Sequence, residues 1–233
     1  MNDSPALVIF DLDGTLVDPA GSITGGIAHA LTAHGLPVPD QASLSSMVGP
    51  PLVESLARLG SVPAEEVPGV VHTYRRHYVT AGMAESRPYP GVPELLARLR
   101  ARGLRLAVAT QKPQTLAERL LEVHGLDACF DSVHGAPDDE TQPPAADGKA
   151  GMVRAALEEN RAAAGSSVMV GDRRYDAAGA EANSVPCIGV RWGFAPAGEL
   201  EALALVALVE DADELESAVI AVLAGAVAEA APC

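Results

Sequence analysis

ALVIFDLDGTLVD, residues 6–18, decides the reading of the fold. Five apolar residues run without a break into two carboxylates, Asp11 and Asp13, and then into Gly14-Thr15. A short continuous apolar run is the pattern of a strand buried on both faces, as in a parallel sheet. Ligands of such sheets bind at the carboxyl ends of the strands, which is where Asp11 and Asp13 fall. Two like charges this close repel unless something positive lies beside them. Two hard carboxylates suit a divalent cation with oxygen ligands, most simply Mg²⁺; the plainer alternative is a solvated Asp-Gly turn. Gly14 permits the tight turn, and Thr15 offers a hydroxyl and an N–H to an anion.

Working outward, further apolar runs of strand length follow at 104–109 (LRLAVA), 167–170 (SVMV) and 186–190 (PCIGV), with a weaker one at 129–133 (CFDSV). Between them, 92–103, 113–125, 149–163 and 175–183 read as helices; the second has Pro at its start and Gly at its end. Strand and helix in alternation predict an α/β fold, a Rossmann-like parallel sheet with helices on both faces. Residues 19–86 break the alternation and hold no convincing strand. Segments 21–35, 52–60 and 70–82 look helical, and SRPYPG at 86–91 is a turn-rich return. The expected organisation is a core of 1–18 and 87–233 with a small α-helical domain, 19–86, inserted after the first strand. The Pro- and Asp-rich 137–148 reads as a loop, and the Ala-rich C-terminal stretch as a helix end or tail.

Composition narrows the function. The chain has 233 residues, 48% hydrophobic but only 3% aromatic, so its core must be built from Leu, Val, Ile and Ala. The net charge of −15 is unbroken by any basic cluster, which argues against nucleic acid and against an anionic membrane surface. No apolar segment is long enough for a membrane span, and the N-terminus has no basic, apolar signal pattern. Cys129, Cys187 and Cys233 are too few for a disulfide framework and read as two small core residues and a terminal thiol. A soluble, cytoplasmic protein is expected. His29/His34 and His72/His77 are spaced by five, which does not align them as zinc ligands on one helix face.

Other strand ends carry polar residues that sharpen the first reading. Thr110, followed by Gln111 and Lys112, closes the 104–109 run just before a helix, near backbone N–H groups that suit an anion; alone it would read as an N-cap. Asp172 and Asp176 follow the 167–170 run, and their spacing of four puts both on one face if the helix has already begun; alone they would read as a cap and a solvated helix acid. Lys149 stands at a helix start, where a cation opposes the macrodipole, a poor place for a surface lysine and a plausible one for a phosphate-facing lysine; alone it would read equally as an ordinary exposed lysine. Trp192 and Phe194 follow the 186–190 run, at a pocket mouth or, more simply, in packing.

Asp11-Leu12-Asp13-Gly14-Thr15, Thr110, Lys149 and Gly171-Asp172-x3-Asp176, in that order, resemble the four signature motifs of the haloacid dehalogenase superfamily. The helical insert is similar to that superfamily's small helical cap. FDLDGTLVD, VGPPL (48–52), YRRHY (74–78), GDRRYD and VRWGF (190–194) resemble the phosphoglycolate phosphatase-like or 5′-nucleotidase-like branch. The third motif reads Gly148-Lys149-Ala150-Gly151 where many relatives have Lys-Pro-x-Pro, and Gln111 stands where relatives often have Asn.

The resemblance implies a phosphatase that hydrolyses a small phosphorylated metabolite. Asp11 would be the nucleophile, Asp13 the general acid and base, and Lys149 and Thr110 the partners of the phosphoryl oxygens. Mg²⁺ would be held by Asp11, the Asp13 main-chain carbonyl and Asp172, with Asp176 behind them. Thr15 and Gln111, and Gly49, Pro50 and Arg75 from the insert, are candidate substrate contacts; loop packing and an exposed helix residue are the plain alternatives for the last three. A sugar-phosphate mutase and a non-catalytic binding protein are the other readings, and the protein is expected as monomer or homodimer.

Overall fold

The computed structural model describes residues 5–19, 21–58, 62–139 and 147–229. The apolar run after Ala6 forms strand β1, Leu7–Phe10, wholly buried. It lies inside a six-stranded parallel sheet with β4 (Arg105–Pro113), β5 (Ser132–Ala136), β6 (Ser167–Gly171), β7 (Cys187–Val190) and β8 (Ala207–Val209), in the order β5-β4-β1-β6-β7-β8. Alternate β1 residues serve two cores. Val8 and Phe10 join the cluster that includes Leu95, Leu99, Leu120 and Leu215, while Leu7 and Ile9 join Met152, Val153 and Ala156. Both faces are therefore covered, which is why the strand shows no polar alternation.

Helices α6 (Val92–Ala101), α7 (Gln114–Val123) and α10 (Ala212–Glu229) contribute to the first core; α8 (Gly148–Asn160) and α9 (Arg174–Glu181) contribute to the second. The chain leaves β1 toward β4 on one side and later returns to β6 on the other. This doubly wound, Rossmann-like order opens a crevice at the carboxyl end of β1.

A two-residue antiparallel ladder, β2 (Val17–Asp18) with β3 (Arg87–Pro88), brackets the helical insert. Between them run α1 (Ser22–Ala33), α2 (Gln41–Ser46), α3 (Leu52–Arg58), α4 (Val67–His77), a π-helical turn (Tyr78–Gly82) and α5 (Met83–Glu85). Ile27, Leu31, Leu56, Val70 and Tyr74 are buried together in the insert. Asp40 caps α2 by accepting from the Ser43 N–H at 2.8 Å.

Some boundaries differ from the sequence reading. The weak strand at 129–133 is Ser132–Ala136, with Asp127–Cys129 forming a 3₁₀ turn before it. Strand β8 and helix α2 were not anticipated; each is short, and three or six residues give too little periodicity to register. Cys129 is half-buried and Cys187 buried, both as free thiols. Cys233, and 140–146 of the expected loop, lie outside the described residues. Among the described residues, no helix is long and apolar enough to cross a membrane.

Candidate active site

Asp11 follows the last residue of β1, and its N–H donates to the Val170 carbonyl at 2.9 Å, which fixes it against β6. The chain then turns sharply, with the Leu16 and Val17 N–H groups both donating to the Leu12 carbonyl. Gly14 makes the turn possible: its φ is +91°, and a Cβ there would collide with the Asp172 carboxylate. The turn thus carries Asp11 and Asp13 to the crevice while pressing its backbone against Asp172.

Lys149, from the first turn of α8, reaches under the strand ends. Its ammonium donates to Asp11 Oδ1 at 2.7 Å and to the Ala109 carbonyl at 2.8 Å, and pairs with Asp176 Oδ1 at 2.7 Å. Two of its protons are thus used in hydrogen bonds, and Asp176 adds a charge contact. Burial alone would lower its pKa, but Asp11 and Asp176 outweigh this and hold it above the ordinary lysine value. The cost of a cation at a helix N-terminus is offset by two carboxylates.

Asp172 and Asp176 do not share a helix face. Helix α9 begins at Arg174, so Asp172 sits in the preceding loop and Asp176 in the first turn, where its Oδ2 accepts from the Arg173 N–H at 2.9 Å. Asp172 is wholly buried and accepts from the Thr15 hydroxyl at 3.2 Å and the Phe194 N–H at 2.7 Å. Burial, then the neighbouring Asp176 and Asp11 charges, push its carboxyl well above the usual range. Burial also raises Asp176, to about 6, against the opposing pull of Lys149. Trp192 packs near the turn and donates its indole N–H to the Thr15 carbonyl at 3.1 Å.

Thr110 lies within β4 and is buried; its hydroxyl oxygen accepts from the Lys112 N–H at 3.2 Å. Of the first amides of α7, the Thr115 N–H is taken by Asp138 Oδ1 at 2.9 Å. The register of β4 on β5 shifts between Ala109 and Pro113, so Thr110, Gln111 and Lys112 depart from regular pairing. Lys112 is a site residue the sequence reading passed over. Its ammonium donates to Asp13 Oδ2 at 2.7 Å and lies 4.5 Å from the Tyr78 ring centroid. The signal was present, since residues two apart on an extended chain share a face and Lys112 follows Thr110 by two. Burial and the Asp13 charge keep the Tyr78 phenol neutral by raising its pKa.

Asp11, Asp13, Thr110, Gln111 and Lys112 form one side of a cavity of about 50 Å³. Ile23, Ile27, Met47, Val48, Gly49 and Tyr74 form much of the other, with Arg75 at its edge, 5.0 Å above the Tyr74 ring. The cavity holds only a few water-sized groups. A wider groove of about 570 Å³, walled by Val53, Ala57, Val67 and Val71, adjoins it across Arg75. Gly49 and Arg75 thus reach the same cavity as Asp11 and Asp13. Thr15 instead has its hydroxyl on Asp172. Gln111 Oε1 is buried with no protein partner among the described residues.

The donor chemistry fits a divalent cation. Oxygens of Asp11, Asp172 and Asp176 lie within 4.8 Å of one another, and all three residues are buried. Four carboxylates gather at the crevice; Lys112 pairs with Asp13 and Lys149 with Asp11 and Asp176, while Asp172 has no ammonium partner among the described residues. A hard divalent cation with oxygen ligands would supply the two missing positive charges. Asp176 already uses one oxygen on Lys149 and the other on Arg173, so Asp11 and Asp172 are the better-placed donors.

Residues 8–190 match the family described as Haloacid dehalogenase-like hydrolase. The chain is 36% identical over 195 residues to the 5′-nucleotidase of Pseudomonas aeruginosa, covering 84% of this chain and 86% of that protein. It is 37% identical over 218 residues to the tyrosine-protein kinase PtkA of Mycobacterium tuberculosis, covering 93% and 73%. It is 35% identical over 202 residues to the phosphoglycolate phosphatase of Agrobacterium fabrum, covering 84% and 85%. The crystal structure of a predicted phosphatase from Clostridium acetobutylicum superposes with a TM-score of 0.84 at 33% identity, covering 94% of this chain and 100% of that one.

Proposed function

The chain belongs to the haloacid dehalogenase-like hydrolase family, and we propose that it is a Mg²⁺-dependent phosphatase that cleaves a small phosphate monoester through an aspartyl-phosphate on Asp11. The observation that carries this reading is the meeting of Asp11, Asp13 and Thr110 on one cavity wall, with Lys149 and Asp172 directly behind Asp11.

A carboxylate oxygen of Asp11 attacks phosphorus, and the bond from phosphorus to the ester oxygen breaks. Lys149, bonded to Asp11 Oδ1, holds the nucleophile in place and supplies positive charge as the anion approaches. The Thr110 hydroxyl already accepts from the Lys112 amide, which leaves its own proton to donate to a phosphoryl oxygen. Asp13 gives a proton to the departing alkoxide. As a carboxylate it then takes one from water, which attacks phosphorus and releases inorganic phosphate from Asp11. Bound between Asp11, the Asp13 carbonyl and Asp172, Mg²⁺ would screen the repulsion between nucleophile and phosphate.

The helical insert, 19–86, acts as the cap in this reading. It excludes water from the cavity and meets the leaving group with Arg75, Gly49 and Gln111 around it. The small cavity beside Asp11 favours a small leaving group, while the wider groove across Arg75 has room for a larger one. Phosphoryl transfer to a tyrosine hydroxyl, the activity named for one relative, is therefore the second reading.

The test is phosphate release from a panel of monoesters with Mg²⁺, with Asp11→Asn alongside. A preferred ester whose hydrolysis is lost in the variant supports the proposal. Turnover that survives Asp11→Asn refutes the covalent route.

A further inference from the structure

We propose that Arg173 is a positioning residue that latches the helical insert over the active site through the carbonyl of Val48. Arg173 follows Asp172 directly, yet its side chain does not line the cavity. It is 4% exposed, and its guanidinium is bonded elsewhere than to the four carboxylates of the crevice. Its Nε donates to Glu199 Oε1 at 2.9 Å, and its Nη1 donates to the Val48 carbonyl, 125 residues earlier in the chain. Glu199 also accepts the Arg174 N–H at 3.1 Å, so the loop before α9 is tied on both sides of the guanidinium.

A buried guanidinium is costly unless paired. Here Glu199 balances its charge, and a further donor is directed at one main-chain oxygen of the insert. Val48 begins the Val48-Gly49-Pro50 segment that lines the cavity. Gly49 has φ +107°, and a Cβ there would lie 3.2 Å from Arg173 Cγ and 3.3 Å from Nη1. The loop is therefore shaped to the arginine as well as bonded to it. Beyond the short β2–β3 ladder, where it can hinge, the insert meets the core at Ser86, whose hydroxyl lies 2.9 Å from His124 Nε2, and at Tyr78, whose ring lies under Lys112. A charged hydrogen bond at the cavity edge, away from that ladder, biases the insert toward its closed position.

If the ester binds only to the closed form, its apparent affinity scales with the closed fraction. Losing the latch weakens binding but leaves the groups that do chemistry in place. The kinetic arm of the test rests on the phosphatase reading; amide exchange does not. Arg173→Met, Arg173→Lys and Glu199→Gln would be compared with the wild type in the full chain with Mg²⁺. The Met variant should raise KM for the preferred ester about tenfold, the scale of one hydrogen bond to a charged group. Its kcat should stay within about twofold, as for lost uniform binding. Lys should recover part of the loss, and Glu199→Gln should show a smaller effect of the same kind.

The amides of Met47, Val48, Gly49 and Leu52 should exchange faster in the Met variant while those of β1 and β6 stay protected. Unchanged KM and exchange would overturn the proposal. So would a fall in kcat alone, which would place Arg173 in the service of Asp172, or faster exchange throughout, which would make it a plain stability residue. Should the Met variant fail to fold, the Lys and Glu199→Gln variants decide by the same measures. Should the wild type release no phosphate from any ester, the phosphatase reading fails, and exchange at 47–52 alone decides the latch.

Discussion

One wall of the cavity is made by strand ends carrying Asp11, Asp13, Thr110 and Lys112; the facing wall is made by the insert, with Ile23, Ile27, Met47 and Tyr74. On the strand side the charged groups are held by partners, while Asp13 Oδ1 and Gln111 Oε1 stay without one among the described residues. Lys149 holds Asp11 and Asp176, Lys112 holds Asp13, and Thr15 and the Phe194 amide hold Asp172. On the insert side the contacts are apolar, with Arg75 at the edge. The contrast teaches a division of labour. Charge that must be precise is built on strand ends of the sheet, and enclosure, which needs only shape and dryness, is left to the helices.

Changes on the strand side should be felt in chemistry before stability. Asp11→Asn keeps the shape and removes the nucleophile, so turnover should fall by about a thousandfold or more, with an unchanged far-ultraviolet circular dichroism spectrum. Near-normal phosphate release would break the contrast at its strongest point. Stripping divalent metal with a chelator should also stop turnover, and Mg²⁺ should restore it. Added Mg²⁺ should raise the thermal midpoint, because binding to the folded state alone adds about 2.7 kcal/mol at a hundredfold excess over Kd. A midpoint indifferent to Mg²⁺ would remove the metal from the site.

Changes on the insert side should be felt in stability first. Leu56 is fully buried in α3, so Leu56→Ala should cost about 2–5 kcal/mol in denaturant unfolding, provided the insert and core unfold together. A smaller loss, or two separate transitions, would show an insert that melts on its own. Tyr78 marks the junction of the two walls. Its ring meets Lys112, but its hydroxyl is buried with no partner among the described residues. Tyr78→Phe should therefore change stability by less than about 1 kcal/mol, in either direction; a larger loss would mean the hydroxyl has a partner such as bound water.

The smallest effect concerns pH. His124 of the core meets Ser86, at the end of the insert, at 2.9 Å, and burial lowers its pKa below 6.5. The unfolded chain then takes up a proton first as pH falls. Stability from the neutral ring is full above 6.5 and is lost as pH drops through the lower folded value. The stability gap between wild type and His124→Asn should shrink on acidification below 6.5. A gap that widens would reverse the sign of the shift.

The strand side was largely legible in sequence. A buried apolar run that stops at Asp11 and Asp13 marks itself, and Asp172 follows the same kind of run. The helices of the insert were legible as periodic patterns, α1 and α4 above all, but not their purpose. Nothing in the spacing of α4 distinguishes an Arg75 that reaches a cavity from a solvated arginine; only the packing of α4 on α1 brings it there.

By itself, the sequence determined what is local: which runs are buried on both faces, where they end in carboxylates, and where helices start and stop. Periodicity reports burial of one face, and strand ends carry their own chemistry, so these features need no partner to be read. Only the tertiary structure decided who pairs with whom. Lys149 meets Asp11 across 138 residues, Lys112 meets Asp13 across 99, and Arg173 meets Val48 across 125. Such pairs are set by the sheet order and by how the insert sits on it. A charged side chain looks the same in sequence whether water or a buried carboxylate will neutralise it, because desolvation exists only once the chain has closed around it.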